Sequence, residues 1–171
     1  MSVGKTTLVN ALKNIPEFKD YYFATERSKY LRDLGIPLNT DSTLKGQTIF
    51  LSERAAELMQ EKIITDRTII DVMAFARVAQ SIPFYQSDAF EELASQFIEE
   101  YDYIFYVSPE GVDIEDNGVR ETDAEYRDLI DFTMKIYINR YKHRIKHYRE
   151  LKGSTEERIK VIQETLSVQY V

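Results

Sequence analysis

The residues best suited to chemistry stand at the start of the sequence, where Gly4-Lys5-Thr6-Thr7-Leu8 opens an amphipathic segment. Glycine, lysine and a hydroxyl residue in that order form the second half of the phosphate-loop pattern G-x-x-x-x-G-K-[ST]. Gly4 lets backbone come close to an anion, and a helix N-terminus offers free N–H groups and a positive dipole end. Lys5 would reach the β- and γ-phosphates of ATP as a point charge. Thr6 would be a ligand of the Mg²⁺ bridging them, and Thr7 joins them as a phosphate-binding residue. The plainer role is an ordinary exposed helix start capped by Ser2. The first glycine of the pattern, and the strand that would feed the loop, would fall before Met1. We therefore expect a chain that starts late and lacks its first central strand.

Two acid–arginine pairs follow short apolar runs. Glu26-Arg27 comes after Tyr21–Thr25, and Asp66-Arg67 after Lys62–Thr65. Ligands of open α/β sheets gather at the carboxyl ends of the strands, where both pairs are expected. Asp66 could hold Mg²⁺ opposite Thr6 or orient an attacking hydroxyl, and Glu26 could serve the second purpose equally well. Arg67 would neutralise phosphate by bidentate hydrogen bonds. Surface ion pairing is the alternative for each pair, with Arg32 and Asp71 as secondary candidates. Farther on, Arg120 and Arg127 sit in an otherwise acidic region beside Gly118. They read as a lid over about 112–127 that closes on a phosphoryl group, or as partners of Glu121, Asp123 or Asp128. Gly153-Ser154 could lie against a nucleotide base or simply start a helix.

The elements that must position these residues alternate between helical and strand patterns. Helices are expected over about 5–13, 26–34, 44–59, 69–80, 87–100, 123–141 and 156–166, with strands over 21–25, 62–66, 103–107 and 147–151. Residues 103–107, Tyr-Ile-Phe-Tyr-Val, are apolar throughout, as in a parallel strand covered on both faces. The alternation implies an α/β fold with a parallel sheet. Tyr30, Phe50, Phe75 and Phe84 are expected mainly to pack in the core.

Composition narrows the class. At 171 residues, 43% of them hydrophobic and 30% charged, the chain fits one domain with a sizeable core. The absence of cysteine excludes a disulfide scaffold, a zinc–cysteine site and a cysteine nucleophile. No apolar run reaches membrane-span length, so a soluble, cytoplasmic protein is expected. A net charge of −7 disfavours nucleic acid as a partner. That charge is uneven. Residues 86–128 hold 14 acids against two arginines, whereas 140–152 hold six basic residues and both histidines. The basic run reads as a solvated helix end and strand edge, with a phosphate-facing or nucleic-acid role as alternatives.

Together these residues resemble the P-loop nucleoside and nucleotide kinases. They are most like the AAA-type P-loop family common in bacteriophage and bacterial genomes, similar to ribosylnicotinamide kinase domains and thymidylate kinases. The resemblance rests on Gly4-Lys5-Thr6-Thr7-Leu8, Thr25-Glu26-Arg27, Asp66-Arg67-Thr68 with Asp71, Gly118-Val119-Arg120 with Arg127, and Gly153-Ser154 with Arg158. It implies a three-layer fold with strand order 2-3-1-4-5 and Mg-ATP as donor. The acceptor, a nucleoside, nucleotide or related small ribosyl compound, would lie between the helices after the second and third strands. Arg120 and Arg127 would fall in the lid, and Gly153-Ser154 near adenine. A nucleotide-binding regulatory ATPase, or an inactive truncated homologue, is the alternative; the acidic face over 88–116 would then be an interface.

Overall fold

The computed structural model describes residues 4–25, 28–108 and 124–167. Helix α1 (Lys5–Leu12) leads through a 3₁₀ turn to β1 (Tyr22–Ala24), α2 (Ser28–Asp33), α3 (Leu44–Glu57) and β2 (Ile63–Thr65). Then come α4 (Ile69–Val78), α5 (Phe84–Ser95), β3 (Ile104–Val107), α6 (Ala124–Arg140), β4 (Tyr148–Leu151) and α7 (Thr155–Ser167). The helix stops follow local chemistry. Gly35, at φ 79°, closes α2 while Ile36 N–H bonds the Leu31 carbonyl at 3.1 Å, satisfying carbonyls that the helix leaves open. Thr43 caps α3 by accepting from Gly46 N–H at 3.1 Å.

Every strand pairing is parallel, β1 with β2 and β3 with β4. Helices cover both faces, as the alternation along β3 shows. Ile104 and Tyr106 join one core with Ile70 and Met73 of α4 and Ile130 and Met134 of α6. Phe105 and Val107 turn into a second core with Leu8 and Leu12 of α1 and Ile162 of α7. This is the expected α/β architecture with parallel strands between helix layers. Helix α4 is its hub, apolar nearly all round and buried from Ile69 to Ala76.

Two expectations need correction. Helix α5 begins at Phe84, not at 87, because Pro83 at φ −59° is already set for a helix start. It ends at Ser95, and Ile98–Glu100 forms a separate 3₁₀ turn that carries Ile98 into the core. Among the four aromatics expected in the core, Phe50 and Phe75 are buried, but Tyr30 is 51% and Phe84 75% exposed. Both exposed rings sit on the outer faces of helices whose inner faces are already filled.

Among the described residues the two strand pairs do not join: they form separate two-stranded sheets. Between the free edges of β2 and β3 lies a cavity of ≈ 300 Å³, lined by Ile63–Thr65 on one side and Ile104–Val107 on the other. The cavity is not enclosed and its lining is polar as well as apolar, so solvent can occupy it.

The uneven charge resolves within the molecule. The basic run meets the acidic block: Arg144 Nε bonds Glu99 at 2.7 Å and Lys146 Nζ bonds Asp102 at 2.8 Å. Glu91 on α5 is the centre of this seam. It accepts from Arg77 Nη2 at 2.9 Å, from the Tyr141 hydroxyl at 2.8 Å and from Arg140 Nη1, tying α4, α5 and the end of α6 together. Burial pushes the Glu91 carboxyl up, but bonds from Tyr141, Arg140 and Arg77 outweigh it and hold the group below the ordinary glutamate range. Its stabilisation is therefore fully present above that range and is lost as pH falls through the lowered value. We expect Glu91→Gln to cost about 1–3 kcal/mol in urea unfolding at pH 7. The difference from the parent should shrink in acid, where the parent's own carboxylate is protonated.

Candidate active site

Three of the residues expected to act on phosphate meet at the C-terminal end of β2. Gly4 adopts φ 74°, a left-handed conformation that turns the chain into α1. From the first turn of α1 the Thr6 hydroxyl donates to Asp66 Oδ2 at 2.9 Å across 60 residues of sequence. Asp66 follows β2 directly, and its N–H extends the ladder to the Ala24 carbonyl at 3.0 Å. Asp66 is buried, and its Oδ1 has no hydrogen-bond partner among the described residues. A hydroxyl and a carboxylate with an oxygen to spare suit Mg²⁺, which takes oxygen ligands and keeps several places for water and phosphate. Among the described residues no group of three His, Cys, Asp or Glu side chains gathers to form an all-protein metal cage.

Lys5 points toward the same place, its Nζ 3.7 Å from Asp71 Oδ1. Asp71 belongs to a capping box at the start of α4. Its Oδ2 accepts from Thr68 N–H at 2.9 Å and from the Thr68 hydroxyl at 3.2 Å, while Thr68 Oγ1 accepts from Ile70 N–H at 3.1 Å. The Tyr101 hydroxyl accepts from Ile69 N–H at 3.1 Å, so three orphan donors of the helix are satisfied. Burial raises the Asp71 pKa, but the Lys5 and Arg67 charges and the Thr68 bonds bring it below the ordinary aspartate value.

Arg67 lies with its guanidinium 5.0 Å from the Phe75 ring centre and lines both the cavity between β2 and β3 and a second, smaller cavity of ≈ 30 Å³. That cavity, between α3 and α4, is bounded by Gln47, Phe50, Arg54, Arg67, Asp71 and Phe75 among others. Gln47 and Arg54 did not stand out in the sequence. Their signal was two polar residues one heptad apart on the buried face of α3, flanking Phe50 and Leu51. Arg54, only 2% exposed, bonds Glu57 at 2.6 Å, and burial raises the Glu57 pKa.

Other expected site residues fall elsewhere. Gly153, at φ 79°, and Ser154 start α7 with their own capping box. Ser154 N–H donates to Glu157 Oε2 at 2.7 Å, and Glu157 N–H to Ser154 Oγ at 3.2 Å. One turn on, Arg158 brings Nη1 to 3.1 Å from where a Cβ on Gly4 would stand, so α7 packs against the loop. Arg158 was a motif member in the sequence; its contact with Gly4 was not legible there. Arg127, in the first turn of α6, sits 3.7 Å from Asp128 and lines neither cavity. Thr7 is in α1, its side chain exposed. Glu26, Arg120 and most of the expected lid lie outside the described residues.

With this geometry established, comparison with known proteins identifies the family: residues 1–158 match the AAA domain family. The chain belongs to it. No curated protein is significantly similar to this AAA-domain chain in sequence. Among solved structures it is similar to deoxyadenosine kinase from M. mycoides with the products dCMP and dCDP bound. The TM-score is 0.66 at 16% identity, covering 97% of this chain and 94% of the kinase. The same enzyme with bound dCTP matches with TM-score 0.67 at 15% identity, covering 98% and 95%. The fold is thus the one shared with these deoxyadenosine kinase structures. No described helix is long and apolar enough to cross a membrane.

The shared carboxylate gives a stability prediction. Asp71 titrates lower in the folded chain than in the unfolded one. Its contribution is present above about pH 4 and is lost as pH falls through the lower folded value. Asp71→Asn should lower the urea midpoint at pH 7 by the equivalent of about 1–2 kcal/mol. It should also flatten the acid limb of the stability–pH curve below about pH 4.

Proposed function

We propose that the chain is a single-domain ATP-binding kinase that moves the γ-phosphoryl of Mg-ATP to a nucleoside, nucleotide or related small ribosyl acceptor. The observation that carries this reading is the Thr6–Asp66 hydrogen bond. It joins the hydroxyl of the phosphate-loop sequence to a buried acid at the end of a parallel strand, on the fold shared with deoxyadenosine kinase. Lys5, paired with Asp71 at 3.7 Å, would exchange that carboxylate for phosphate oxygens when nucleotide enters. The α1 N–H groups and Gly4 would cradle the phosphate chain, with Thr7 beside them, and Gly153-Ser154 on the adjoining loop would lie near adenine. Thr6 and Asp66 would hold Mg²⁺, which would supply charge neutralisation for the phosphate chain. The acceptor would approach between α3 and α4, where the ≈ 30 Å³ cavity would have to widen to admit it and where Gln47 can hydrogen-bond and Arg67 can neutralise the transferring group. Glu26 or Asp66 would orient its hydroxyl, and Arg120 with Arg127 would close from the lid.

The regulatory reading needs the acidic face over 88–116 to meet a partner. Asp88, Glu91, Glu99 and Asp102 of that face are paired with the chain's own Arg77, Arg140, Arg144 and Lys146, which favours the kinase reading.

ADP release from Mg-ATP, measured across a panel of nucleosides and nucleotides, tests the proposal. Acceptor-dependent turnover is expected, and Lys5→Met should lower it by about 10²–10³-fold. Arg67→Lys should fall by about tenfold or more, because lysine cannot make the bidentate contact. ATP binding with no acceptor-dependent release would favour the regulatory reading, and normal turnover in Thr6→Val would remove Thr6 from the metal site.

A further inference from the structure

Helix α6 is apolar on two sides, and only the inner one is covered by described residues. Tyr126, Ile130, Thr133, Met134 and Tyr137 are buried on that inner side, where α6 packs on α4. The outer side carries Leu129, Phe132 and Ile136, which are 48%, 62% and 40% exposed. Their spacing is three and then four residues. At about 100° per residue the three side chains fall within about 60° of arc and form one stripe along roughly two turns. The outer side of α7, by contrast, is Glu156, Glu157, Lys160 and Glu164. A surface helix ordinarily turns polar residues to solvent, so large apolar side chains in line on that side, rather than scattered, mark a contact surface.

The charges around the stripe say what covers it. Glu125 and Asp128 stand toward its N-terminal end, Lys135 and Arg140 toward its C-terminal end, all at exposed positions. Helical spacing puts Glu125 and Arg140 on the line of the stripe itself, and Asp128 and Lys135 together on one flank. Two copies of α6 laid side by side in parallel would set Glu125 against Glu125 and Arg140 against Arg140. Laid antiparallel about a two-fold axis at Phe132, the same helices bring Glu125 opposite Arg140, Leu129 opposite Ile136 and Asp128 opposite Lys135. The two Phe132 rings then meet on the axis. A helix with acids first, bases last and an apolar centre is complementary to itself in that one orientation, as a two-fold interface requires.

We infer that α6 is a self-association face, on which two copies of this chain pair through Leu129, Phe132 and Ile136 with their α6 helices antiparallel. A single helix pair is small beside the ~1,200–2,000 Å² of a stable interface, so the dimer is reversible and grows with concentration. Lys5, Thr6, Asp66 and Arg67 all lie outside α6, so the inference is independent of the phosphoryl-transfer reading.

Sedimentation velocity from low to high micromolar concentration tests it. The weight-average mass should rise from the 20.1 kDa of one chain toward twice that value. Phe132→Glu should hold it at one chain throughout, with an unchanged urea midpoint because the position is exposed. Asp128→Lys and Lys135→Asp should each weaken association by about tenfold, since each sets like charges across the axis, and the two together should restore it. The chain has no cysteine, so introduced cysteines report the register. Under mild oxidation a mixture of Leu129→Cys and Ile136→Cys chains should cross-link faster than either variant alone. One-chain mass at every concentration, association that survives Phe132→Glu, or no rescue in the double charge variant would each overturn the self-association face. Cross-linking of Leu129→Cys alone as fast as the mixture would overturn the antiparallel register.

Discussion

One carboxylate holds the candidate site and the core in register. Asp71 spends one oxygen on the Thr68 cap that starts α4 and turns the other toward Lys5 of α1. Helix α4 is the most deeply buried element and packs against α3, α5 and α6. Fixing its first turn therefore fixes one whole helix layer relative to the loop before α1. A carboxylate so buried is tolerable because Thr68 hydrogen-bonds one oxygen and the Lys5 and Arg67 charges lie near it, which together hold its pKa below the ordinary aspartate value. The site is thus a by-product of capping: the charge that stabilises the helix start is the charge that parks the lysine.

The sheet poses the opposite problem. Its strands are short, three or four residues each, and occur in two pairs with facing free edges. Isolated two-stranded sheets are marginal in water. Here helices hold them: β3 and β4 lie between α1 with α7 on one side and α4 with α6 on the other, and Phe23 and Ile64 of the first pair pack into the α1–α7 core. One end of the cavity between them is lined by Lys5, Asp66 and Asp71, so the strand edges and the candidate site adjoin.

Surface charge contributes mainly to the outer seam. The acids of α5 and of the turn before β3 pair with the basic run after α6, and Glu91 anchors the seam from a buried position. Exposed members of such a set are each worth little, ~0–1 kcal/mol. The Glu91 cluster matters because its carboxylate is shielded and served by three donors from two other segments. Three members of the positive run, Arg140, Arg144 and Lys146, are thereby paired with acids of the chain itself.

Element types and most boundaries were legible in the sequence because they depend on local period and punctuation. Gly35, Thr43, Thr68 and Pro83 act through backbone geometry and caps within a few residues, although the early start given by Pro83 was missed. The Lys5, Thr6 and Asp66 candidates were legible too, since a glycine–lysine–threonine helix start and an acid ending an apolar run are local patterns. The Gln47 and Arg54 cavity wall, the Arg158 approach to Gly4 and the double role of Asp71 were not. Each depends on which helix faces come together, and one chain's periodicity cannot say which polar residue on a buried face finds a partner. The sequence by itself determined the kinds of element and the residues with chemical potential. Tertiary structure alone decided that Thr6 would reach Asp66 across 60 residues and that β2 and β3 would line one cavity, because both depend on segments far apart in the chain.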